Sequence, residues 1–518
     1  MSAMFSLISR LSGEIKKNGI KNTYYKVKEK RAKNLQFRNY DTERLAKLPS
    51  EAELGKQRKQ VFEKELTFSI VVPTYHTPEL FLRQMIESVL GQTFCRVELC
   101  IADGSREDSV EKIVKEYMEK DGRIRYCRLS ENKGISENTN EGLKMATGEY
   151  IGLLDHDDLL EPFALYEMRK ALEKYPQAEV LYSDEDKVSF DLTHYFEPHY
   201  KPDFNPDLLR SNNYICHFLV MKRSLLEQIG GFRPEFDGAQ DFDLVLRLTE
   251  KAKNVVHIPK VLYHWRSHDA STATNPMSKL YAYEAGRRAV EAHLQRSGER
   301  GVVTDTRFYG FYQTTYEVPD EMSVNLVLLS CNDRNHKKIL NIFSREQDRQ
   351  NKGNVIYYTN GFNNFVINYD DIEAAEKVLL FVDASLKDVK KEELNQLAAN
   401  CFRTGVGMAG GRILSAKGEV LYGRKERDAH GILRYADAGL PRGFTGYFHK
   451  SILQQNTEGV SERFFAIRKE VFEAWKPNKE LTGEAMMEDL CAFVQASGYR
   501  IAYVPAATAV MSESGEGT

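Results

Sequence analysis

Short apolar runs alternate with amphipathic stretches throughout residues 68–158, and this alternation limits the fold more than any other feature of the chain. The apolar runs have the length of strands, and the stretches between them place apolar residues on one helical face. Strands that alternate with helices form parallel α/β sheets, in which ligands bind beyond the carboxyl ends of the strands. The predicted strands are Phe68–Val72, Val97–Ala102, Ile124–Leu129 and Ile151–Leu154, and the predicted helices are 79–90, about 107–120 and about 136–146.

Three carboxylates follow directly on the last of these strands. Asp155, Asp157 and Asp158 come after the apolar run Ile151–Leu154. In extended backbone the side chains of Asp155 and Asp157 would leave the same face of the strand. Paired carboxylates at such a strand end predict a site for a hard divalent cation that also holds substrate phosphates. The alternative is a solvated acidic turn in front of a helix.

The other strand ends also carry polar residues. Thr74 and Tyr75 end the first strand, and Asp103 ends the second. Because the carboxyl ends of neighbouring parallel strands meet at one edge of a sheet, these residues and the acids at 155–158 are predicted to share one rim. This rim is the predicted ligand site.

The short motifs at these strand ends, together with several downstream, resemble those of the family 2 glycosyltransferases. They are Val-Pro-Thr-Tyr (72–75), Ala-Asp-Gly-Ser (102–105), Asn-Lys-Gly-Ile-Ser (132–136), Leu-Asp-His-Asp-Asp (154–158), Gln-Asp-Phe-Asp (240–243) and Tyr-His-Trp-Arg-Ser-His (263–268). The resemblance covers about residues 67–275. It implies a GT-A fold, which is an α/β architecture with a Rossmann-like mixed sheet. It also implies an inverting, metal-dependent transfer from a nucleotide-diphosphate sugar.

By this resemblance, individual residues take specific roles in sugar transfer. Asp241 is the expected catalytic base, with Asp243 as the alternative. The expected ligands of a Mn²⁺ or Mg²⁺ ion are Asp155, Asp157 and His268, with His264 competing for the histidine position. The expected nucleotide-sugar-binding residues are Pro73, Thr74, Tyr75, Asp103, Lys133, Asp155 and Arg266.

Two positions depart from the family pattern. Ala102 stands where the family usually has an acid in front of Asp-Gly-Ser. The chain also has no arginine near Thr139, where many members have one that meets the diphosphate. The second departure shifts the expected neutralisation of the phosphates toward the metal, Arg266 and Lys133.

The resemblance also implies partners and a cellular setting. The donor is expected to be a UDP- or dTDP-sugar. The acceptor is expected to be a saccharide or a lipid-linked sugar used for bacterial cell-surface polysaccharide at the inner face of the membrane. The competing interpretation is a catalytically inactive protein that binds a nucleotide sugar as a scaffold of an assembly complex. The sequence predicts neither the transferred sugar nor the oligomeric state.

The second half of the chain echoes the first, which predicts an internal repeat. The apolar run Val378–Val382 ends on Asp383, as the first-half run ends on Asp155, and Asp489 precedes a strand as Asp241 does. In the copy, Ala and Ser follow the lone Asp383 where the first half has further acids. We therefore expect a degenerate module for acceptor binding, packing or assembly. The predicted domains are a basic helical arm, a GT-A catalytic domain and a degenerate GT-A-like module, at residues 1–66, 67–300 and 301–518.

Composition and charge exclude several other classes of protein. The 518 residues are 42% hydrophobic and 28% charged, with a net charge of −3, which is ordinary for a globular protein and argues against wholesale nucleic-acid binding. No apolar run reaches the roughly 18–20 residues of a membrane span. Seven cysteines without a Cys-x-x-Cys pair indicate reduced thiols in a cytoplasmic protein. Residues 1–38 carry a net charge of +8, so this arm either lies on an anionic membrane surface or packs on its own protein.

One motif is expected to be a coincidence. Gly405-Val-Gly-Met-Ala-Gly410 has the Gly-x-Gly-x-x-Gly pattern of dinucleotide-binding proteins. The pattern follows a predicted helix, whereas the dinucleotide-binding turn follows a strand. A dinucleotide site is therefore not predicted here.

Overall fold

The structure is a computed structural model that describes residues 19–20, 23–267, 280–319, 324–329, 339, 355–357, 377–478 and 480–512. His268, the predicted metal ligand, lies outside the described residues. Residues 1–18, 21 and 22 of the predicted basic arm lie outside them as well.

A mixed sheet occupies the first half of the chain, as the resemblance implied. Its strands, in order across the sheet, are β3, β2, β1, β4, β8, β6, β9 and β5, with β7 paired to β6. Strands β1 to β4 run parallel, as the alternation predicts, whereas β8 runs antiparallel to both β4 and β6. The bounds are β1 Phe68–Thr74, β2 Val97–Asp103, β3 Ile124–Arg128, β4 Tyr150–Leu153, β5 Leu159–Leu160, β6 Val180–Ser189, β7 Tyr195–His199, β8 Leu219–Lys222 and β9 Val255–Ser267.

Helices cover both faces of this sheet. The helix Glu79–Leu90 buries Leu82, Met85, Ile86 and Val89, which are the residues of its predicted apolar face. Each such side chain stabilises the fold by about 1.5–3 kcal/mol relative to an exposed position. The helix bounds are α1 Tyr40–Lys47, α2 Glu51–Lys59, α3 Glu79–Leu90, α4 Ser109–Met118, α5 Ile135–Met145, α6 Ala164–Lys174, α7 Pro206–Ser211, α8 Arg223–Ile229, α9 Gln240–Lys251 and α10 Leu280–Ser297.

A second sheet in the C-terminal half repeats the first. Its order, β13, β12, β14, β21, β16, β22 and β15, matches β2, β1, β4, β8, β6, β9 and β5 strand for strand, with the same directions. Among the described residues no strand corresponds to β3. The predicted internal repeat is therefore confirmed. The bounds are β12 Val324–Leu329, β13 Val355–Tyr357, β14 Val378–Asp383, β15 Leu386–Lys387, β16 Val406–Leu414, β21 Phe464–Arg468 and β22 Arg500–Met511.

Shorter elements complete the C-terminal half. Two hairpins lie outside the second sheet, and two short strands extend it at β16 and β22. These strands are β10 Gly301–Asp305, β11 Tyr312–Tyr316, β17 Val420–Tyr422, β18 Lys425–Arg427, β19 Leu433–Tyr435 and β20 Gln455–Thr457. The helices are α11 Lys391–Phe402, α12 Lys469–Ala474 and α13 Gly483–Ala496.

The glycine pattern at 405–410 lies mainly within the buried strand β16. A Cβ atom added at Gly407 would approach Tyr499 to 2.7 Å, and one at Gly410 would approach Val460 to 2.3 Å. These glycines allow close packing inside the second sheet. The expectation that they form no dinucleotide-binding turn agrees with this position.

The structure corrects one equivalence between the two halves. Asp241 is the second residue of α9, whereas Asp489 is the seventh residue of α13. Asp489 accepts a hydrogen bond from Trp475 Nε1 at 2.8 Å. The residue at the second position of α13 is Glu484. Asp489 therefore does not occupy the position of Asp241. Asp241 lies in the first turn of its helix, whereas Asp489 lies near the middle of its own.

A buried polar network joins the two halves. Asp207 in α7 pairs with Arg403, which follows α11, and accepts a hydrogen bond from Asn456 Nδ2 at 2.6 Å. Glu299 accepts from Arg210 Nη2 and Arg403 Nε, each at 2.8 Å. Breaking a buried pair of this kind costs about 3–5 kcal/mol. The second half is thus firmly attached to the first, as predicted.

The described part of the arm packs on both halves. Residues 23–36 are helical, and α1 follows. Tyr40 in α1 donates a hydrogen bond to Asp186 Oδ2 at 2.7 Å, and Arg44 pairs with Glu161. Glu29 accepts hydrogen bonds from the second half, near residue 445. Packing on the protein, one of the two predicted fates of the arm, is confirmed for these residues. Within the described ranges no helix is both long and apolar enough to cross a membrane.

Candidate active site

The carboxyl ends of β1 and β2 meet at Asp103, as predicted. Thr74 and Asp103 are directly paired in the sheet. The buried Asp103 carboxylate accepts hydrogen bonds from Thr74 Oγ1 at 3.1 Å, the Ser105 backbone N–H at 3.0 Å and the Tyr126 hydroxyl at 2.9 Å. These bonds fix the orientation of the carboxylate. Tyr126 lies on β3, and no motif in the sequence indicated its part in this cluster.

The remaining predicted nucleotide-binding residues surround this point. Tyr75 is 45% exposed, and Pro73 is half-buried at the end of β1. Both α5 and the loop in front of it lie close to Gly104, where an added Cβ would meet Asn138 Nδ2 at 2.8 Å and Asn132 Cβ at 3.5 Å. Lys133 lies in that loop, exposed and 3.7 Å from Glu131. The predicted rim is therefore formed, while the contacts of these residues with a nucleotide remain a prediction.

The acids at 155–158, called the acidic tip below, do not extend the strand. Strand β4 ends at Leu153, and the Asp158 N–H bonds back to the Asp155 carbonyl at 3.2 Å, which closes a turn. The prediction from extended backbone was therefore wrong about the geometry, because the chain turns as soon as its apolar run ends. The turn separates the acids: the Asp155 side chain is 51% exposed, and Asp158 is fully buried.

Asp158 and Arg266 support the tip from inside. Asp158 accepts hydrogen bonds from the Tyr263 hydroxyl at 2.6 Å and from the Arg266 N–H at 2.8 Å. The buried Arg266 Nε donates to the Asp157 carbonyl at 2.7 Å, and Nη1 donates to Gln84 Oε1 at 2.8 Å. Arg266 thus holds the backbone of the tip, a role that the sequence did not predict. Its expected contact with a diphosphate remains a prediction.

Desolvation and neighbouring negative charges shift the pKa values of the acids in the acidic tip. Although the Asp155 side chain is half exposed, desolvation by the surrounding protein raises its pKa, the nearby Asp157 and Asp241 carboxylates raise it further, and His217 lowers it. Burial likewise raises the pKa of Asp158 well above its usual range, with Asp157 and Asp155 adding to the effect. A divalent cation would relieve this repulsion.

His217 was missed by the sequence analysis. Its Nε2 lies 3.8 Å from Asp155 Oδ2, and its ring stacks on Tyr263 with centroids 4.5 Å apart. Its Nδ1 lies 3.2 Å from Glu185 Oε2. Burial alone would lower the pKa of His217, but Cys216 and Glu185 outweigh it and raise the pKa well above its usual range.

Glu185 is the centre of this second cluster. The Lys201 ammonium lies 3.5 Å from its carboxylate, and His199 Nδ1 lies 3.2 Å from its Oε1. Burial alone would raise the pKa of Glu185, yet Lys201, His199 and His217 together hold it well below its usual range. A signal was present, since Glu185 belongs to the Ser-Asp-Glu-Asp run after the acidic tip, but only the fold shows that it faces His217.

Asp241 lies at the N-terminus of α9, close to the tip. Its Oδ2 accepts a hydrogen bond from Asn213 Nδ2 at 2.9 Å and lies 3.7 Å from Cys216 Sγ. The N-cap position belongs to Ala239, and no side chain caps the helix. Asp241 is therefore not a helix cap. It is half-buried, so part of it is accessible to solvent.

The surroundings of two residues exclude them from the roles for which they were the alternatives. Asp243, the alternative base, is fully buried and paired with Arg233 and with Arg247 Nε at 2.8 Å. His264, the alternative metal ligand, is buried with Nδ1 2.5 Å from Asp186 and Nε2 3.1 Å from Glu161. Both imidazole nitrogens are therefore already engaged. His264 is a structural residue.

The tip fits a hard cation in part. Asp155 and Asp157 supply the carboxylate oxygens that Mg²⁺ and Mn²⁺ prefer, and such ions complete their shell with water and substrate phosphates. Among the described residues no group of three His, Cys, Asp or Glu side chains is arranged to hold a metal. Of the predicted metal ligands, the described residues thus include Asp155 and Asp157, whereas His268 lies outside them.

Several known proteins are similar to parts of this chain. Residues 69–230 match the family model described as Glycosyl transferase family 2. The chain is 30% identical over 231 residues to the uncharacterized glycosyltransferase RT0329 of Rickettsia typhi, covering 42% of this chain and 69% of that protein. It is 31% identical over 435 residues to the O-antigen biosynthesis protein RfbC of Myxococcus xanthus, covering 78% of this chain and 34% of that protein. The solved structure of S. aureus TarS with UDP-GlcNAc is 20% identical, with a TM-score of 0.37 over 44% of this chain and 66% of that chain.

The chain therefore belongs to the family 2 glycosyltransferases, and its first sheet has their GT-A architecture. It spans about half or less of the first curated relatives that it matches, with 53% of the uncharacterized protein y4gI of Sinorhizobium fredii and 34% of RfbC.

Proposed function

We propose that this protein is a metal-dependent, inverting glycosyltransferase that moves a sugar from a nucleotide-diphosphate donor to a saccharide or lipid-linked acceptor. The observation that carries the proposal is the convergence of Asp155, Asp157 and Asp241 at the sheet edge where β1, β2 and β4 end. Relatives named for O-antigen biosynthesis and chondroitin synthesis support a role in cell-surface polysaccharide assembly.

The donor occupies the rim in this proposal. Asp103, oriented by Thr74 and Tyr126, meets the nucleotide base, which is expected to be that of UDP or dTDP. Asp155 and Asp157 hold the divalent cation, with His268 as the expected third ligand. When bound, that cation stabilises the negative charge that develops on the departing diphosphate.

Asp241 is the general base in this proposal. Its carboxylate takes the proton of the acceptor hydroxyl as the oxygen attacks the anomeric carbon, and the bond to the diphosphate breaks in the same displacement. One displacement inverts the configuration, and no carboxylate nucleophile is needed. Cys216 and Asn213 orient Asp241 from the side away from the helix.

Two conservative substitutions test these roles in one assay. Asp157→Asn is expected to abolish Mn²⁺-dependent donor binding, measured by calorimetry with UDP- and dTDP-sugars. Asp241→Asn is expected to keep donor binding and to lose transfer by about 10²–10⁴-fold, the usual contribution of a general base. Asp243→Asn is a poor control because it breaks a buried ion pair, so the exposed Asp203→Asn serves instead.

Three results would contradict the proposal. Normal turnover by Asp157→Asn or by chelator-treated protein would reject the metal site. Transfer by Asp241→Asn at near the wild-type rate would reject the base. Donor binding by the wild-type protein without hydrolysis or transfer to any saccharide would favour the inactive scaffold.

A further inference from the structure

The loop 444–449, called the bracing loop below, reaches from the second half to the first. Gly446, Phe448 and His449 have φ values of +73°, +47° and +61°. Bulky residues adopt this left-handed backbone only where their surroundings hold it. The conformation of the bracing loop is therefore imposed by its contacts.

The bracing loop contacts the C-terminal end of β7. The Phe448 ring stacks on the His199 ring, with centroids 3.8 Å apart and planes within 15°. The Tyr447 hydroxyl donates to the Pro198 carbonyl at 2.7 Å and accepts from the Tyr200 N–H at 2.9 Å. Three consecutive residues of the first half are thus held by two residues of the second.

His199 connects this contact to the acidic tip. Its Nδ1 lies 3.2 Å from Glu185 Oε1, and Glu185 Oε2 lies 3.2 Å from His217 Nδ1. His217 Nε2 lies 3.8 Å from Asp155 Oδ2. Phe448 is thus linked to Asp155 through a continuous row of three side chains.

The arm holds the loop from its other side. The Glu29 carboxylate accepts hydrogen bonds from the Thr445 hydroxyl at 3.1 Å and the Gly446 N–H at 3.0 Å. The Lys33 ammonium lies 5.1 Å from the centre of the Phe448 ring. The bracing loop is therefore clamped between the arm and β7.

We propose that Phe448 is a positioning residue for the transferase site, which it orders by fixing His199 and, through Glu185 and His217, the Asp155 carboxylate. This inference rests on the proposed glycosyl transfer and gives the second half of the chain a part in it. A displacement of about 1 Å at a reacting centre can cost on the order of 10²-fold in rate, so a supporting ring is enough to matter.

A double-mutant cycle on the full chain tests the proposal. Phe448→Ala is expected to lower kcat/KM for donor and acceptor at least tenfold in the wild-type background. The same substitution in a His217→Gln background is expected to cost less than twofold, because the row is already interrupted there. Phe448→Tyr, which keeps the ring, should restore the wild-type value.

Phe308→Ala is the matched control. Phe308 stacks on His449 with centroids 4.1 Å apart, so it supports the same loop without touching His199. It should leave kcat/KM within twofold of wild type. Circular dichroism confirms folding, and Phe448→Leu, which keeps volume without the ring, replaces the alanine variant if that variant unfolds.

The outcomes separate this inference from the proposed function. Wild-type protein without any transfer would overturn both. Active wild-type protein with a Phe448→Ala variant of equal kcat/KM would overturn the positioning role alone. Equal losses in both backgrounds would also overturn it, because Phe448 would then act independently of His217.

Discussion

Aspartates around the rim differ in chemistry because their surroundings differ. Asp155 is half exposed, and desolvation together with the negative charge of Asp241 raises its pKa. Asp158 is buried and accepts a hydrogen bond from the Tyr263 hydroxyl. Asp243 is neutralised by two arginines. A carboxylate can hold a cation or take a proton only where substrate and water reach it. Burial and pairing thus divide the acids into those that can act and those that support the fold.

His264 gives a residue-scale prediction about stability. Burial alone would lower its pKa, but Asp186 and Glu161 outweigh it and raise the pKa to about 9. A raised pKa means that the stabilisation is complete below about pH 6.5 and is lost as the pH rises through 9. The shift from 6.5 corresponds to about 3 kcal/mol of unfolding free energy.

We therefore expect the free energy of unfolding, measured with urea, to fall between pH 6.5 and pH 9.5 in the wild-type protein. The difference between wild type and His264→Asn should shrink by about 3 kcal/mol over the same range. His430→Asn, on the surface, is the control and should follow wild type. A constant difference between His264→Asn and wild type at all pH values would contradict this account.

At the scale of elements, the arm helix has two distinct faces. Tyr25 and Glu29 point inward and contact the second half, as does Phe37 in the turn after the helix. The outward face carries exposed apolar residues among lysines and arginines. These residues are Ile20, Tyr24, Val27 and Leu35, with 75%, 54%, 50% and 58% of their surface exposed. A basic helix with an outward apolar stripe suits an anionic lipid surface.

The hypothesis that the arm binds membranes can therefore be tested by substitutions on its outward face. Deleting the arm would be a poorer test, because the deletion would also remove its inward contacts with the protein. The triple variant Ile20→Ser, Tyr24→Ser, Val27→Ser is expected to bind phosphatidylglycerol vesicles at least tenfold more weakly than wild type. Each lost apolar contact is worth up to about 1.5–3 kcal/mol. Transfer to a soluble acceptor should be unchanged.

The control for this experiment is Val61→Ser, which removes an apolar residue that is 91% exposed elsewhere on the surface. Binding should also weaken as salt is added and should be absent with phosphatidylcholine alone. Equal co-sedimentation of the triple variant and wild type would show that the outward face does not contact lipid.

At the scale of the whole molecule, the second sheet repeats the first, but in the second sheet an arginine neutralises the acid that corresponds to Asp155. Asp383, the last residue of β14, takes the position of Asp155, and Arg463 Nη1 lies 2.9 Å from it. Arg463 and His217 occupy equivalent positions in the two sheets. Val378, the first residue of β14, pairs with the residue five positions after Arg463. Tyr150, the first residue of β4, pairs with the residue five positions after His217. In the first half the shorter histidine leaves Asp155 half exposed. In the second half the arginine neutralises the lone acid.

The second half is therefore expected to be catalytically silent. Asp383→Asn and Asp489→Asn should each leave the transfer rate within a few-fold of wild type. Asp383→Asn should instead lower the melting temperature, because Arg463 loses its buried partner. Asp155→Asn is the matched change in the first half. A hundredfold loss from either second-half change, with intact circular dichroism, would indicate a second active site.

The sequence by itself determined the succession of strands and helices along residues 68–158 and the acids at the ends of those strands. Local periodicity carries this information, since strands and helices repeat their apolar residues every two or 3.6 positions. It also predicted the internal repeat, because Val378–Asp383 copies the pattern that ends on Asp155. The family assignment followed from motifs whose spacing is visible along the chain.

Only the tertiary structure decided which side chains surround those acids. His217 lies 62 residues from Asp155 along the chain, and Phe448 comes from the other half. The same holds for Arg233, which lies outside the helix of Asp243 and pairs with it, so that Asp243 is excluded as a base. Such contacts depend on how sheets and loops pack, and no local period records them. The sequence therefore determined where carboxylates would gather, and packing decided which of them remain accessible for chemistry.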